Sequence, residues 1–294
     1  MSTYNLPISK DEHDLSFLDE EFKKRDKQPK PIGRPKGSLN KKTLEMKEKK
    51  NDENRLSTID DLKRSDDYTF DIDDLPSEFP CCICSIGKSK SGKSYNTAYL
   101  IQYFSMHKPY FKAGLVMLGS KGLNDDYKWM PKDYVIDGYS EDVLRGWLDH
   151  LKSIREKTNK PPPPTFLILD DLLNAITNND YFSNFLSQYR HYNITIFINN
   201  QTLANRTTGS LFREQTVYLF SWSTKAKNTL EHLYKWFGQL FDSFDEFKNH
   251  FLETTKEKHT CMFYDATQND VHKNYLRWKS PENFKPVSLR FSKV

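Results

Sequence analysis

From about residue 79 onward, short apolar runs alternate with longer stretches whose apolar residues recur every three or four positions. The run at 79–86 (FPCCICSI), closed by Gly87, has the length and small side chains of a buried strand. Residues 93–106 then carry Ala98, Leu100, Ile101 and Phe104 at helical spacing. The pattern repeats. It predicts strands at 113–118, 165–169, 194–198 and 216–220, helices at 140–156, 181–190, 225–237 and 243–254, and a last pair of strands at 259–264 and 274–278. The proline run 161–164 excludes helix and central strand there. Buried strands alternating with helices imply an α/β fold, with a mainly parallel sheet covered by helices on both faces.

The first 77 residues break this pattern. Of the 294 residues, 36% are hydrophobic and 29% are charged, and the net charge of +4 conceals three blocks of opposite sign. Residues 1–22 hold six acids and one base, 23–50 hold twelve bases and three acids, and 51–78 hold ten acids and three bases. Blocks of that kind bury too little apolar surface to offset chain entropy. The expectation is a disordered tail over 1–77, with a basic arm at 23–50 and an acidic linker at about 51–78, followed by one domain over 78–294. No run reaches the roughly 18 apolar residues of a membrane span. The acidic N-terminus has no apolar signal region, so the expectation is a protein that is not secreted. Four cysteines, three of them at 81, 82 and 84, make no disulfide framework and no zinc spacing. They read as small buried hydrophobes in a reducing compartment.

Chemistry concentrates where strands end. Gly87-Lys88-Ser89-Lys90-Ser91-Gly92-Lys93-Ser94 fits G-x-x-x-x-G-K-[ST] at every fixed position, with a strand before it and a helix after it. The glycines let backbone N–H groups turn inward around phosphate oxygens. In such a loop Lys93 reaches the β- and γ-phosphates and the Ser94 hydroxyl holds Mg²⁺. The run Phe166-Leu167-Ile168-Leu169 ends in Asp170-Asp171. Asp170 is placed to bind Mg²⁺ and Asp171 to act as general base toward the attacking water. Asn199-Asn200-Gln201 closes the fourth predicted strand, and Gln201 is placed to sense the γ-phosphate and orient water. One strand, at 113–118, separates the phosphate loop from the Asp pair, as in P-loop proteins with an extra strand and a second carboxylate. No N-K-x-D segment for reading guanine is present.

At these residues the chain resembles the FtsK–HerA superfamily of P-loop ATPases, and within it the viral genome-packaging branch of poxviruses, other large DNA viruses and virophages. The likeness covers about 79–265 and rests on GKSKSGKS, LILDD and above all the segment from Arg190-His191 through the apolar strand to Gln201. Leu211-Phe212-Arg213 with the strand after it, and Phe263-Tyr264-Asp265, match further regions. The resemblance implies a RecA-like P-loop NTPase fold that uses ATP and Mg²⁺. It implies a homo-oligomeric ring, commonly a hexamer, moving double-stranded DNA into a preformed capsid, with capsid or portal proteins as partners and the virion and host assembly site as location. It also implies an arginine acting on a neighbouring subunit, with Arg190 the first choice, Arg213 the second and Arg206 the third. The pattern departs at Asp171, where the superfamily often has Glu. Alternatives are another DNA motor on the same scaffold, or a nucleotide-gated DNA tether with little turnover.

Gly33-Arg34-Pro35-Lys36, followed by Lys41 and Lys42, resembles the core of an AT-hook, with Ile32 where an arginine is usual. Arg34, Pro35, Lys36, Lys41 and Lys42 are therefore the DNA-binding candidates. They act either by entering a narrow A·T minor groove or by holding phosphates without reading bases.

Overall fold

The computed structural model describes residues 79–107, 110–120, 125–176, 179–202, 209–268 and 271–291, with residues 70, 72 and 75 ahead of them. The basic arm with Arg34, Pro35, Lys36, Lys41 and Lys42, the rest of the expected tail, and Arg206 lie outside the described residues.

Among the described residues, eight strands form one sheet: β1 (Cys82–Ile86), β2 (Ala113–Leu118), β3 (Val135–Asp137), β4 (Thr165–Asp170), β5 (Ile194–Asn200), β6 (Thr216–Trp222), β7 (Thr260–Asp265) and β8 (Tyr275–Lys279). Their order is β3-β2-β4-β5-β1-β6-β7-β8. Every pairing from β3 to β6 is parallel, while β6–β7 and β7–β8 are antiparallel. Helices α1 (Lys93–Met106), α2 (Glu141–Thr158), α3 (Leu173–Ile176), α4 (Asp180–Gln188), α5 (Gly209–Gln215), α6 (Lys227–Phe237), α7 (Phe244–Thr254) and α8 (Val271–Asn274) connect the strands. β5 lies between β1 and β4, so the strand that ends in the Asp pair is not the neighbour of the strand that feeds the phosphate loop. The sequence points to an extra strand but offers 113–118 for it from chain order; in the sheet the intervening strand is β5, and β2 lies on the far side of β4.

Both sheet faces are covered, which is why the central strands read as unbroken apolar runs. On one face Cys82, Cys84, Leu167, Leu169, Ile196 and Ile198 pack with α2, α4, α6 and α7. On the other Cys81, Ile83, Phe166, Ile168 and Phe197 pack with Ala98, Leu100, Ile101 and Phe104 of α1. The cysteines divide between the faces by strand alternation. All four are buried and none is in a disulfide, and burial pushes the Cys82 thiol up to about 12.

The strands and helices lie close to the positions that periodicity gives. Those too short to show a period were missed: β3 has three residues, α3 and α8 have four each, and α5 has seven. Helix α1 is buried on more than one side, since residues 280–291 run back over it. The Tyr95 hydroxyl donates to the carbonyls of Pro281 and Phe284, and Gln102 exchanges hydrogen bonds with the backbone of Val287.

The charge pattern assigns Phe70 and Ile72 to the acidic linker, yet both are buried against the sheet. The Phe70 ring stacks on Phe263 with centroids 4.0 Å apart and meets Trp278 edge-on, and its N–H donates to the Arg277 carbonyl at 2.8 Å. Averaging charge over a window hid two apolar residues spaced between aspartates. Replacing Phe70 by Ala should lower stability by about 3 kcal/mol in urea unfolding, the usual loss for a buried phenyl ring. An unchanged midpoint would place Phe70 outside the folded unit.

Candidate active site

In a parallel sheet the C-terminal ends of the strands share one edge, and here that edge carries every catalytic candidate except the arginine. After β1 the chain turns through Gly87–Gly92 into α1. Lys90 (φ 61°) and Gly92 (φ 112°) take left-handed backbone there. For Gly92 no L side chain adopts that angle without strain. Lys93 is buried, and its ammonium donates to the carbonyls of Gly87 and Lys88 at 2.7 and 3.0 Å. Burial lowers its pKa, against the charges of Asp170, Asp171 and Asp126.

At the end of β4, Asp170 is buried and takes three side-chain donors on Oδ2. These are the Ser94 hydroxyl at 3.1 Å, the Tyr127 hydroxyl at 2.5 Å and the Asn199 amide at 3.3 Å. Burial raises the Asp170 pKa, and the hydrogen bonds from Tyr127, Asn199 and Ser94 and the Lys93 charge oppose the rise. Asp171 leaves the strand with φ 57°, a left-handed angle that Asp tolerates better than most residues. Its N–H donates to the Asn199 carbonyl, and its Oδ2 accepts from the Gln201 amide at 2.7 Å. Gly119, at the end of β2, lets this corner close, because a Cβ there would lie 2.0 Å from the Asp171 carbonyl oxygen.

A cleft of about 560 Å³ joins these groups; Ser89, Lys93, Ser94, Asp170, Asp171 and Gln201 line it. The structure therefore brings together the phosphate loop, both carboxylates and the terminal glutamine. It does not bring in Arg190. That residue precedes β5, and a strand of seven residues at ~3.3 Å each puts it on the order of 20 Å from Gln201. It is exposed, and its Nε donates to the Tyr189 hydroxyl at 3.2 Å. Arg213 precedes β6 at the same far edge, 3.7 Å from Glu214.

The fold is that of a P-loop nucleoside-triphosphatase. The strand order and the loop between β1 and α1 establish it. No family model matches the sequence, and no curated protein matches it. Among solved structures the chain is similar to the genome packaging NTPase B204 of Sulfolobus turreted icosahedral virus 2 bound to AMPPCP, at 16% identity and TM-score 0.49, over 69% of this chain and 98% of that one. It is similar also to the cytoplasmic domain of the Thermomonospora curvata type VII secretion ATPase EccC, at 17% identity and TM-score 0.46, over 68% of this chain and 25% of that one. A third likeness is to the pCW3 conjugation coupling protein TcpA with ATPγS, at 10% identity and TM-score 0.45, over 68% and 60%.

Two groups at the site escaped the sequence reading. Tyr127 lies in the loop after β2, 43 residues from its carboxylate, and belongs to no motif. A second pocket of about 370 Å³ shares Gly92 and Tyr95 with the phosphate side and is lined by Trp222, His259, Lys279 and Glu282. Its residues come from three strand ends, so their meeting is a product of sheet order.

The raised pKa of Asp170 has a thermal consequence. Ionised Asp170 costs stability above its raised folded value, and the cost vanishes once pH falls below the ordinary carboxylate value of about 3.9. Asp170→Asn should therefore melt higher than the wild type at pH 7, with the gap closing toward pH 4, as read by calorimetry without nucleotide. A variant that melts lower at pH 7 by a pH-independent margin would contradict this.

Proposed function

We propose that this chain is an ATP hydrolase that drives movement of double-stranded DNA, working as a ring of copies in packaging a viral genome. The observation that carries the hydrolytic part is the 2.7 Å hydrogen bond from Gln201 to Asp171 beside the phosphate loop. A loop that only bound nucleotide would need neither group. The DNA part rests on the basic block at 23–50 and on the resemblance of the Arg190–Gln201 segment.

In this reading the loop amides cradle the phosphates, and Lys93 gives up its carbonyl partners to meet the β- and γ-phosphate oxygens. Asp171 takes the proton of the attacking water while Gln201 holds both in place. The donor set suits a hard divalent cation, since Ser94 and Asp170 present a hydroxyl and a carboxylate oxygen 3.1 Å apart. Mg²⁺ held by Ser94 and Asp170 would neutralise charge developing on the phosphate oxygens. The pocket beside Trp222 and His259 gives the base an aromatic wall next to Tyr95.

Arg190 stands at the edge opposite the cleft, so any part it takes in hydrolysis is in a neighbouring copy's site. That fits a ring, as does a virion or assembly-site location, with capsid or portal proteins as partners.

The test is ATP hydrolysis by the full chain, with and without duplex DNA at two salt concentrations. Wild type should turn over faster with DNA and lose that stimulation as salt rises. Lys93→Ala should lose activity by at least about a hundredfold, as expected when a transition-state charge contact is removed. Turnover indifferent to DNA would contradict the motor reading. Absence of turnover in the wild type would favour the nucleotide-gated tether.

A further inference from the structure

The Tyr127 hydroxyl is buried at the centre of the site, and the mechanism above gives it no task. We propose that Tyr127 is a positioning residue for the cation: its hydroxyl fixes the Asp170 carboxylate in the orientation that accepts a divalent metal beside Ser94. This rests on the reading of the site as a Mg²⁺–nucleotide site and names what sets its metal affinity.

Among the described residues, the three side-chain hydrogen bonds to Asp170 all end on Oδ2. A carboxylate oxygen has two lone pairs, so three donors compete for two places. Two of the three donors are immobilised. Asn199 is fully buried, and its own Oδ1 is held by the Thr97 hydroxyl at 2.9 Å. Tyr127 accepts from Asn199 Nδ2 at 3.1 Å while donating to Asp170, so its hydroxyl is fixed from two sides.

The loop that carries Tyr127 is pinned as well. The Met130 N–H donates to the Tyr127 carbonyl at 2.9 Å, the Trp129 indole N–H to the Asp126 carbonyl at 2.9 Å, and the Leu289 N–H to the Trp129 carbonyl at 2.7 Å. The Ser94 hydroxyl, by contrast, sits in the second residue of α1, open to the cleft. It is therefore the donor that turns when a cation arrives, while Tyr127 and Asn199 keep the carboxylate where it was. Groups that orient a metal ligand in this way typically change metal affinity by about 10- to 100-fold when removed.

The experiment uses the full chain and a fluorescent ATP analogue, titrated in EDTA and across a range of MgCl₂. Tyr127→Phe keeps the ring and its packing and removes only the hydroxyl. Its affinity in EDTA should match wild type within about twofold, and the Mg²⁺ concentration for half-maximal enhancement should rise about tenfold. Thr97→Val, which frees Asn199 while leaving Tyr127 intact, should move the Mg²⁺ midpoint in the same direction by less. A purely structural role would instead lower affinity equally with and without Mg²⁺. Such equal loss, or an unchanged Mg²⁺ midpoint in both variants, overturns the proposal. If wild type itself binds no nucleotide in either condition, the reading of the site fails and this inference falls with it. If wild type responds to Mg²⁺ and the variants respond identically, only the inference fails.

Discussion

Asp170 receives hydrogen bonds from three separate parts of the chain: Ser94 at the start of α1, Tyr127 from the loop after β2, and Asn199 from β5. A carboxylate buried without such partners would be strongly disfavoured. With them it becomes the point at which the helix after the phosphate loop, the strand between β1 and β4, and the edge of the sheet are held in one geometry. Asp171 follows directly, its left-handed turn fitted between Gly119 and the Asn199 carbonyl. The position of the second carboxylate is thus a consequence of how the first is held.

The site is not arranged for stability. Burial disfavours the charged forms of both Asp170 and Lys93, and their mutual attraction opposes that cost. Lys93 occupies itself with two backbone carbonyls, which satisfies the ammonium without neutralising it. Ser91 Oγ and Trp222 Nε1, next to the loop, are buried with no hydrogen-bond partner among the described residues. A site with buried charge and unpaired donors is set up for an anionic ligand that supplies the missing partners.

Much of this was legible in the sequence, for a physical reason. Parallel strands buried on both faces leave long apolar runs, and their ends are marked by abrupt polarity at Gly87, Asp170-Asp171 and Asn199-Asn200-Gln201. Reading those ends together recovers the phosphate loop, both carboxylates and the glutamine. Tyr127 was illegible because a hydroxyl that matters by contact leaves no spacing to read. Trp222 and His259 meet only because β6 and β7 are neighbours. Phe70 was hidden by the aspartates around it. Arg190 was noticed for its position before β5, and that same position sets it at the far edge, away from this chain's own phosphate loop.

The central claim is that Asp171 and Gln201 act as one unit on water at the phosphate loop. A double-mutant cycle on ATP turnover tests it most directly, with Asp171→Ala, Gln201→Ala and the two together. Groups that act as a unit are non-additive. The account predicts that the double variant is no slower than the slower single variant. Rate losses that multiply would show two independent contributions and contradict it.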